Sequence, residues 1–262
     1  MPELAEVKIT SEQINAVCGS KTFTKILKSA ETKVKTDLSC EFEQFTISAM
    51  SRGKELRITL HEVGTDSKKF MIFTLGMSGY FTLVGSERPK HAHLIFESNG
   101  ASLCFVDVRR FGKWKWSDWS DNRGPCVLTE FRRFKEHVSN NLNKREFDKP
   151  IYEVMMNQRY FNGIGNYLRA EILDRFDETP FKSAREYILN CPEFLETCHR
   201  VVYESYLLGG GQLKDWSNPF DVPVNGFLDW IRCYSLGEKI QDQSNRTFWF
   251  NPKWKSQTLI NS

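Results

Sequence analysis

The sequence lacks the features of a membrane protein and of a cysteine-ligated metal protein. No apolar run approaches the roughly 20 residues of a membrane-spanning helix, and no Cys-x-x-Cys pair occurs. The chain opens with polar and charged residues, unlike a secretory signal peptide. The seven cysteines are odd in number and widely spread, which favours buried thiols in a reducing compartment. We therefore expect an intracellular protein of the nucleus or the cytoplasm.

A strong excess of charge of one sign is also missing. Lys and Arg number 36 against 33 Asp and Glu. This balance neither requires nor excludes a nucleic-acid partner, because a local basic groove matters more than the sum. The length of 262 residues is sufficient for two domains, each with its own core.

The residue pattern changes along the chain and predicts an α+β protein of two domains. Residues 3–18 predict a helix, and residues from about 20 to 116 alternate like antiparallel strands, with an Asn-Gly hairpin turn. SDWSDNRGPC predicts a linker, and helical patterns follow from Val127. We predict a β-sandwich domain over 1–118, a linker over 119–128, and a helical domain over 129–262 with a hairpin at about 230–252.

Six short motifs contain the candidate functional residues. They are MPELAE with Pro2, Glu3 and Glu6, SRGKEL with Lys54, LGMSG with Met77, DVRRFG with Arg109 and Phe111, FNGIGNYLRAEIL with Gly163, Gly165, Asn166 and Tyr167, and NRTFWF with Arg246. Each motif is weak alone. Proline and acidic residues are ordinary at a helix start, and a lone lysine on a strand usually faces solvent.

Several of these residue types would suit a nucleic-acid ligand. Asn166 is placed to cap the following helix, whose first N–H groups can hold a phosphate. Arg109 and Phe111 have side chains that can enter a duplex and fill a gap there.

His91 and His93 are a candidate pair of metal ligands on one predicted strand face, but no third ligand is evident nearby. We therefore expect no metal and no cofactor.

The six motifs, in this order and spacing, resemble those of the Fpg/Nei family of DNA glycosylases over nearly the whole chain. RGKELR, HAHL, CFVDVRRFG and RGPCVL are especially similar to the eukaryotic Nei-like branch. The resemblance implies an N-terminal helix on a two-sheet β-sandwich, then a helical domain with a helix–two-turn–helix, with DNA in the cleft between them. Most bacterial members end in a four-cysteine zinc finger. Here only Cys233 lies in the last 60 residues, so the resemblance implies a zincless finger hairpin.

The resemblance also implies a bifunctional glycosylase and AP lyase of base excision repair. Removal of Met1 would leave Pro2 as an N-terminal secondary amine. The pKa of an α-amino group is about 8, so part of it is unprotonated at neutral pH. This amine would attack the damaged nucleotide's sugar, expel the base and allow strand cleavage by β- and then δ-elimination. Glu3 would give a proton to the sugar ring oxygen, and Glu6 would support the site.

The remaining residues are implied to hold the DNA. Lys54, grouped with the catalytic residues, would grip the flanking phosphates together with Asn166 and Arg246. The turn that carries Asn166 adds Gly163, Gly165 and Tyr167 to the DNA-binding residues. Met77, Arg109 and Phe111 match the triad that fills the void left by the flipped nucleotide. Many Fpg members have a histidine before LGMSG, where this chain has Thr74.

The resemblance indicates the preferred lesion less directly than it indicates the chemistry. We expect oxidised pyrimidines and hydantoins, because the local matches favour Nei-like enzymes. GGGQLKDWSNPF, about Gly209 to Phe220, aligns with the region that closes over 8-oxoguanine in Fpg but resembles neither branch fully. Damaged DNA, whether duplex, single-stranded or bubble, is the expected partner of a monomer, and a viral source stays open.

Three alternatives remain. The first is an Fpg-type enzyme that prefers 8-oxoguanine and formamidopyrimidines. The second is a catalytically silent lesion-binding protein, which the intact Pro2 and Glu3 disfavour. The third is a helix-turn-helix regulator that would use YLRAEILDRF as a recognition helix. That helix offers few side chains suited to base edges.

Overall fold

The computed structural model describes residues 2–211, 216, 219–220, 223 and 225–259. The chain divides into two compact units. The first contains Met1–Ser120 and Gly209–Asp221, and the second contains Asp121–Leu208 and Val222–Ser262. The sequence-based division assigned all of 129–262 to one domain, whereas the segment Gly209–Asp221 groups with the N-terminal unit.

The first unit begins with helix α1, Leu4–Cys18. Val7, Ile14 and Cys18 lie on its buried stripe and join the hydrophobic core of this unit. Asn15 fixes the helix against the sheet, because its side chain donates to Ala49 O at 2.8 Å and accepts from Ala49 N at 2.6 Å. These bonds determine where the start of α1 lies on the sheet.

Eight antiparallel strands form the sheet of the first unit. They are β1 (Phe23–Lys28), β2 (Phe45–Arg52), β3 (Glu55–Glu62), β4 (Lys68–Thr74), β5 (Tyr80–Val84), β6 (Ala92–Ser98), β7 (Ala101–Val106) and β8 (Lys113–Trp116). Their order is β5-β7-β6-β1-β2-β3-β4-β8. The predicted Asn-Gly turn is confirmed, since Asn99 and Gly100 join β6 to β7 and Gly100 has a φ of 76°.

The predicted α+β class is confirmed, but the two predicted sheets are one continuous sheet. β1 connects its halves, pairing with β6 along its length and with β2 at Phe23 and Phe45. The halves share one core, where the Phe73 ring lies 5.0 Å from that of Phe81 and 5.6 Å from that of Phe105. The sheet therefore folds back on itself, which gives the layered packing of a sandwich.

The second unit is mostly helical and includes a two-stranded hairpin. Its elements are α2 (Phe131–Asn141), α3 (Ile151–Val154), α4 (Asn166–Asp174), α5 (Ala184–Asn190), α6 (Phe194–Leu207), α7 (Gly226–Trp230), β9 (Glu238–Gln241) and β10 (Thr247–Phe250), with 3-10 helices at Arg145–Asp148 and Pro252–Leu259. Two successive turns join α3 to α4, closed by Tyr160 N–H to Asn157 O and by Ile164 N–H to Phe161 O. This is the predicted helix–two-turn–helix.

Among the residues that the structure describes, no helix has both the length and the apolar character needed to cross a membrane.

Candidate functional site

The start of α1 brings together the two carboxylates that follow Pro2. Glu3 is the N-cap and is 1% exposed, and Glu6, one turn further, is 4% exposed. The backbone N–H of Glu3 donates to Glu6 Oε2 at 2.7 Å, and the Glu3 side chain accepts from the backbone N–H of Glu6 in return. This reciprocal capping box holds both carboxylates next to the half-buried Pro2.

Glu6 also binds a loop that lies far away in sequence. Its Oε1 accepts a hydrogen bond from Gly211 N at 2.6 Å. Gly210 has a φ of 67°, and a Cβ there would collide with the Glu6 carboxylate. Sequence reasoning missed this link, although the three consecutive glycines at 209–211 were its visible signal.

The rest of that loop is only partly described. Trp216 packs against the hydrophobic core of the first unit. Residues 212–215, 217 and 218 of the predicted lesion-closing segment lie outside the described residues. Gly211 and Trp216 therefore lie against α1 and the core of the first unit, respectively.

Lys54 lies in the tight turn between β2 and β3, not within a strand as predicted from its β-rich surroundings. Gly53 has a φ of 59°, which favours glycine, and the cross-strand pair Arg52 and Glu55 closes the turn. The Lys54 side chain is half-buried at this sheet end.

Two adjacent loops bring together the predicted void-filling residues. Met77 is 41% exposed, Phe111 is 52% exposed, and the Arg109 guanidinium lies 5.0 Å from the centre of the Phe111 ring. The loops touch at Gly76, where a Cβ would lie only 2.6 Å from Gly112 N. Arg109 and Phe111 therefore form one exposed pair, and Met77 is exposed on the adjoining loop.

The buried carboxylate of Asp107 holds these loops in place. Its Oδ1 accepts from Ser78 Oγ at 2.5 Å and from Arg109 N at 3.2 Å, and its Oδ2 accepts from Gly112 N at 2.7 Å. Arg110, which lies between Arg109 and Gly112 in the chain, has a φ of 57°, a strained value for a residue with a side chain. Sequence reasoning missed Asp107, whose only signal was its place at the start of DVRRFG.

In the second unit, α4 begins at Asn166, and its N-cap is Gly165 rather than Asn166 as predicted. The Asn166 side chain instead donates from Nδ2 to Thr247 O at 2.7 Å and accepts at Oδ1 from Arg169 NH2 at 2.6 Å. Gly163 and Gly165 are buried, as is Tyr167, which packs edge-on against Phe227. The buried residues shape the turn that presents Asn166.

Arg246 ends the turn between β9 and β10, as predicted. Its Nε donates to Asp242 Oδ2 at 3.0 Å, and Asp242 Oδ1 accepts from the backbone N–H groups of Ser244 and Arg246. Burial alone would raise the pKa of Asp242, but hydrogen bonds from the Arg246 backbone and from Arg169 outweigh it and lower the pKa. The carboxylate is therefore charged at neutral pH. Sequence reasoning missed both Asp242 and Arg169.

The hairpin does not fit a bound zinc. Its neighbourhood has one cysteine, Cys233, and burial raises the pKa of that thiol to about 12. Within the described ranges, no group of three or more His, Cys, Asp and Glu side chains could hold a metal ion. His93, one of the paired histidines, lies 2.9 Å from Asp107 O through its Nε2.

Comparison with known proteins identifies the family. A profile of the formamidopyrimidine-DNA glycosylase N-terminal domain matches residues 1–114. Endonuclease 8-like 1 of Homo sapiens is 38% identical over 283 aligned positions, which cover 95% of this chain and 72% of that protein. This chain belongs to the Fpg/Nei family.

Other relatives agree with this assignment, so the predicted family is confirmed. The formamidopyrimidine-DNA glycosylase of Pasteurella multocida is 30% identical over 91% of this chain and 90% of its own length. The crystal structure of Lactococcus lactis Fpg bound to DNA with an oxidised pyrimidine superposes with a TM-score of 0.78 at 22% identity, covering 96% of this chain and 98% of that one. The structural match confirms the Fpg/Nei fold for this chain.

Proposed function

We propose that this Fpg/Nei member is a bifunctional DNA glycosylase and AP lyase that removes oxidised bases, with oxidised pyrimidines and hydantoins preferred. The observation that carries the proposal is the arrangement of Glu3 and Glu6, two buried carboxylates held by a capping box beside Pro2. Both carboxylates adjoin Pro2, whose nitrogen would be exposed once Met1 is removed, and a proton donor beside that nitrogen is what the opening of the sugar needs.

The reaction begins at the Pro2 nitrogen once Met1 is removed. The nitrogen lone pair forms a bond to C1′ of the damaged nucleotide, and the base leaves with the electron pair of the glycosidic bond. The Pro2 nitrogen loses its own proton, and the departed base takes one up. Glu3 gives a proton to the ring oxygen O4′, the C1′–O4′ bond breaks, and the nitrogen lone pair forms the iminium at C1′. The iminium acidifies the C2′ proton, and loss of that proton expels the 3′ phosphate by β-elimination. A further elimination expels the 5′ phosphate.

The DNA would be held by groups in both units. Lys54 in the first unit and Asn166 and Arg246 in the second are proposed to contact the phosphates that flank the lesion, which positions the strand without reading bases. Met77, Arg109 and Phe111, exposed together on adjacent loops, would occupy the space of the flipped nucleotide.

We propose that the protein acts as a monomer in the nucleus or the cytoplasm.

Borohydride trapping tests this function. The native protein is incubated with an oligonucleotide duplex that carries one oxidised pyrimidine, and sodium borohydride reduces the iminium to a stable adduct. We expect a covalent protein–DNA band with this duplex and a weaker band with an 8-oxoguanine duplex. The reverse order would favour the 8-oxoguanine-preferring alternative. No adduct with any lesion or abasic site, with DNA binding retained, would contradict the enzyme and favour a silent lesion-binding protein.

Asp107 gives a separate prediction about lesion recognition. Asp107→Asn replaces one acceptor oxygen by an NH2 group, which then faces a donor of the loops instead of accepting from it. The loops of Met77, Arg109 and Phe111 therefore lose their fixed spacing. We expect the preference for a duplex with a tetrahydrofuran abasic site over an undamaged duplex to fall by about tenfold, the effect of one lost hydrogen bond to a charged group. Competition binding at fixed salt measures this ratio.

The matched control is Asp66→Asn, the same change at an exposed position between β3 and β4. It should leave the ratio unchanged. An unchanged ratio for Asp107→Asn as well would show that the loops do not depend on this carboxylate.

A further inference from the structure

Arg169 is a fully buried cation that links three elements of the second unit. Its side chain is 0% exposed. NH1 donates to Tyr152 O on α3 at 2.9 Å and to Asp242 Oδ2 in the hairpin turn at 3.0 Å. NH2 donates to Asn166 Oδ1 on α4 at 2.6 Å and to Thr247 O on β10 at 3.1 Å. The guanidinium thus joins α3, α4 and the hairpin at one point.

Aromatic rings fix the plane of this guanidinium. The Arg169 guanidinium lies 5.0 Å from the centre of the Phe248 ring. Phe248 in turn stacks on Tyr152, with 4.6 Å between ring centres and an angle of 5° between the planes. A planar fork held against a ring face presents its donors in fixed directions, which a lysine cannot reproduce.

The two side chains next to Arg169 are the proposed phosphate contacts of this unit. Asn166 accepts from Arg169 through Oδ1, so its amide must turn its NH2 group the other way, towards Thr247 O. Arg246 shares Asp242 Oδ2 with Arg169, because its Nε donates to the same oxygen. The Arg246 bond uses Nε, and its side chain is 40% exposed, so NH1 and NH2 carry the donors that suit a phosphate.

Charge gives Arg169 a second effect on the same site. Asp242 alone would cancel the charge of Arg246 and weaken its attraction for a phosphate. With Arg169 included, the group of two guanidinium ions and one carboxylate keeps a net positive charge. The low pKa of Asp242 means that the carboxylate is ionised, so this balance applies at neutral pH.

We infer that Arg169 is a positioning residue for DNA binding, which sets the Asn166 amide directly and the Arg246 guanidinium through Asp242 while touching no DNA itself. This inference rests on the proposed function, because it takes Asn166 and Arg246 as phosphate contacts. Ordering these groups in advance lowers the entropy cost of gripping the strand.

The test measures the salt dependence of binding to a duplex with a tetrahydrofuran abasic site. Arg246→Ala should weaken binding by about tenfold and reduce the slope of log K against log salt by about one. Arg169→Lys keeps the charge but loses the fork, and it should weaken binding to a similar degree. In the double variant the two losses should add only in part, because Arg169 acts on Arg246 through Asp242, whereas its effect on Asn166 remains when Arg246 is absent.

A second variant and a control separate positioning from folding. If Arg169→Lys is unfolded by circular dichroism, Asp242→Asn takes its place in the comparison with Arg246→Ala. It keeps an acceptor for the two turn N–H groups but places NH2 against both guanidinium ions. Binding should weaken because positioning is lost, although the net positive charge of the group rises. Val138→Ala removes a buried side chain from α2 and should lower the melting temperature of the same unit without changing the salt slope.

Two results would overturn the inference. The first is an Arg169→Lys protein that keeps the native affinity and salt slope while its melting temperature falls as in Val138→Ala. Arg169 would then have a structural role only. The other is fully additive losses in the double variant. Failure of the proposed function gives a different result, since the native protein would then form no borohydride adduct with any lesion or abasic site, whatever the salt slopes of the variants.

Discussion

Replacing Pro2 with glycine is expected to slow base excision by about three orders of magnitude or more, a loss comparable with removal of a catalytic nucleophile in other enzymes. The secondary amine of proline gives an iminium that keeps its positive charge, because its nitrogen has no N–H left to lose. Glycine gives a primary amine whose imine must be protonated before it can draw electrons from the sugar. Glycine also removes the ring that restricts the backbone before α1.

DNA affinity should change little in Pro2→Gly. The proposed phosphate contacts lie elsewhere, on the β2–β3 turn and in the second unit, and phosphate contacts dominate affinity. Single-turnover excision and borohydride trapping measure the chemistry, and binding to a tetrahydrofuran duplex measures the affinity. Intact mass spectrometry first establishes that Met1 is absent from the protein used.

The control for this substitution is Pro192→Gly, the same change at an exposed position before α6. It should leave both chemistry and binding unchanged. Native trapping yields in Pro2→Gly, with the DNA adduct mapped by peptide mass spectrometry to a residue other than the N-terminal one, would assign the attacking amine to that residue, for which Lys54 is the first candidate. A parallel fall in affinity and melting temperature would instead mean that the start of α1 had unfolded.

The sequence predicted best what local pattern determines. The Asn99–Gly100 hairpin, the start of α1 and the β9–β10 hairpin follow from turn residues and periodicity, and all three are present. The family followed from six motifs in order. Lys54 was assigned to a strand because apolar and polar residues alternate on both sides of it. Gly53 is the one typical turn residue at this position, so the sequence signal for a turn was weak.

The residues that the sequence did not reveal are those whose partners are distant. Glu6 and Gly211 are 205 positions apart, and Arg169 and Asp242 are 73 apart. In sequence, Arg169 is an ordinary helix arginine, and charged residues are normally exposed. Its burial becomes visible only when α3, α4 and the hairpin are assembled around it. The single sheet was missed for a similar reason, since it depends on one pair between Phe23 and Phe45.

Glu3→Gln is expected to slow base excision by about 10²–10⁴-fold, the usual effect of losing a general acid. The glutamine side chain has nearly the same shape, and its amide oxygen can still accept the backbone N–H that caps α1. The fold should therefore survive. What is lost is the proton that opens the sugar ring as the base leaves.

The same variant should cleave a pre-formed abasic site with a much smaller loss. An abasic sugar opens to its aldehyde without help, so the Pro2 amine can form the iminium without a proton from Glu3. The ratio of the two single-turnover rates, on a lesion duplex and on an abasic duplex, is the measurement that isolates the role of Glu3. Glu12→Gln is the matched control, because Glu12 lies on the same helix in an ion pair with Lys8.

The ratio also distinguishes this role from a purely structural one. If Glu3 only capped α1, its loss would displace Pro2 and slow both reactions equally, with a lower melting temperature. If it gives the proton, only the lesion reaction carries the large loss, and the melting temperature stays near that of Glu12→Gln. Equal losses on both substrates would therefore remove Glu3 from the chemistry and leave Pro2 as the one reactive group of the N-terminus.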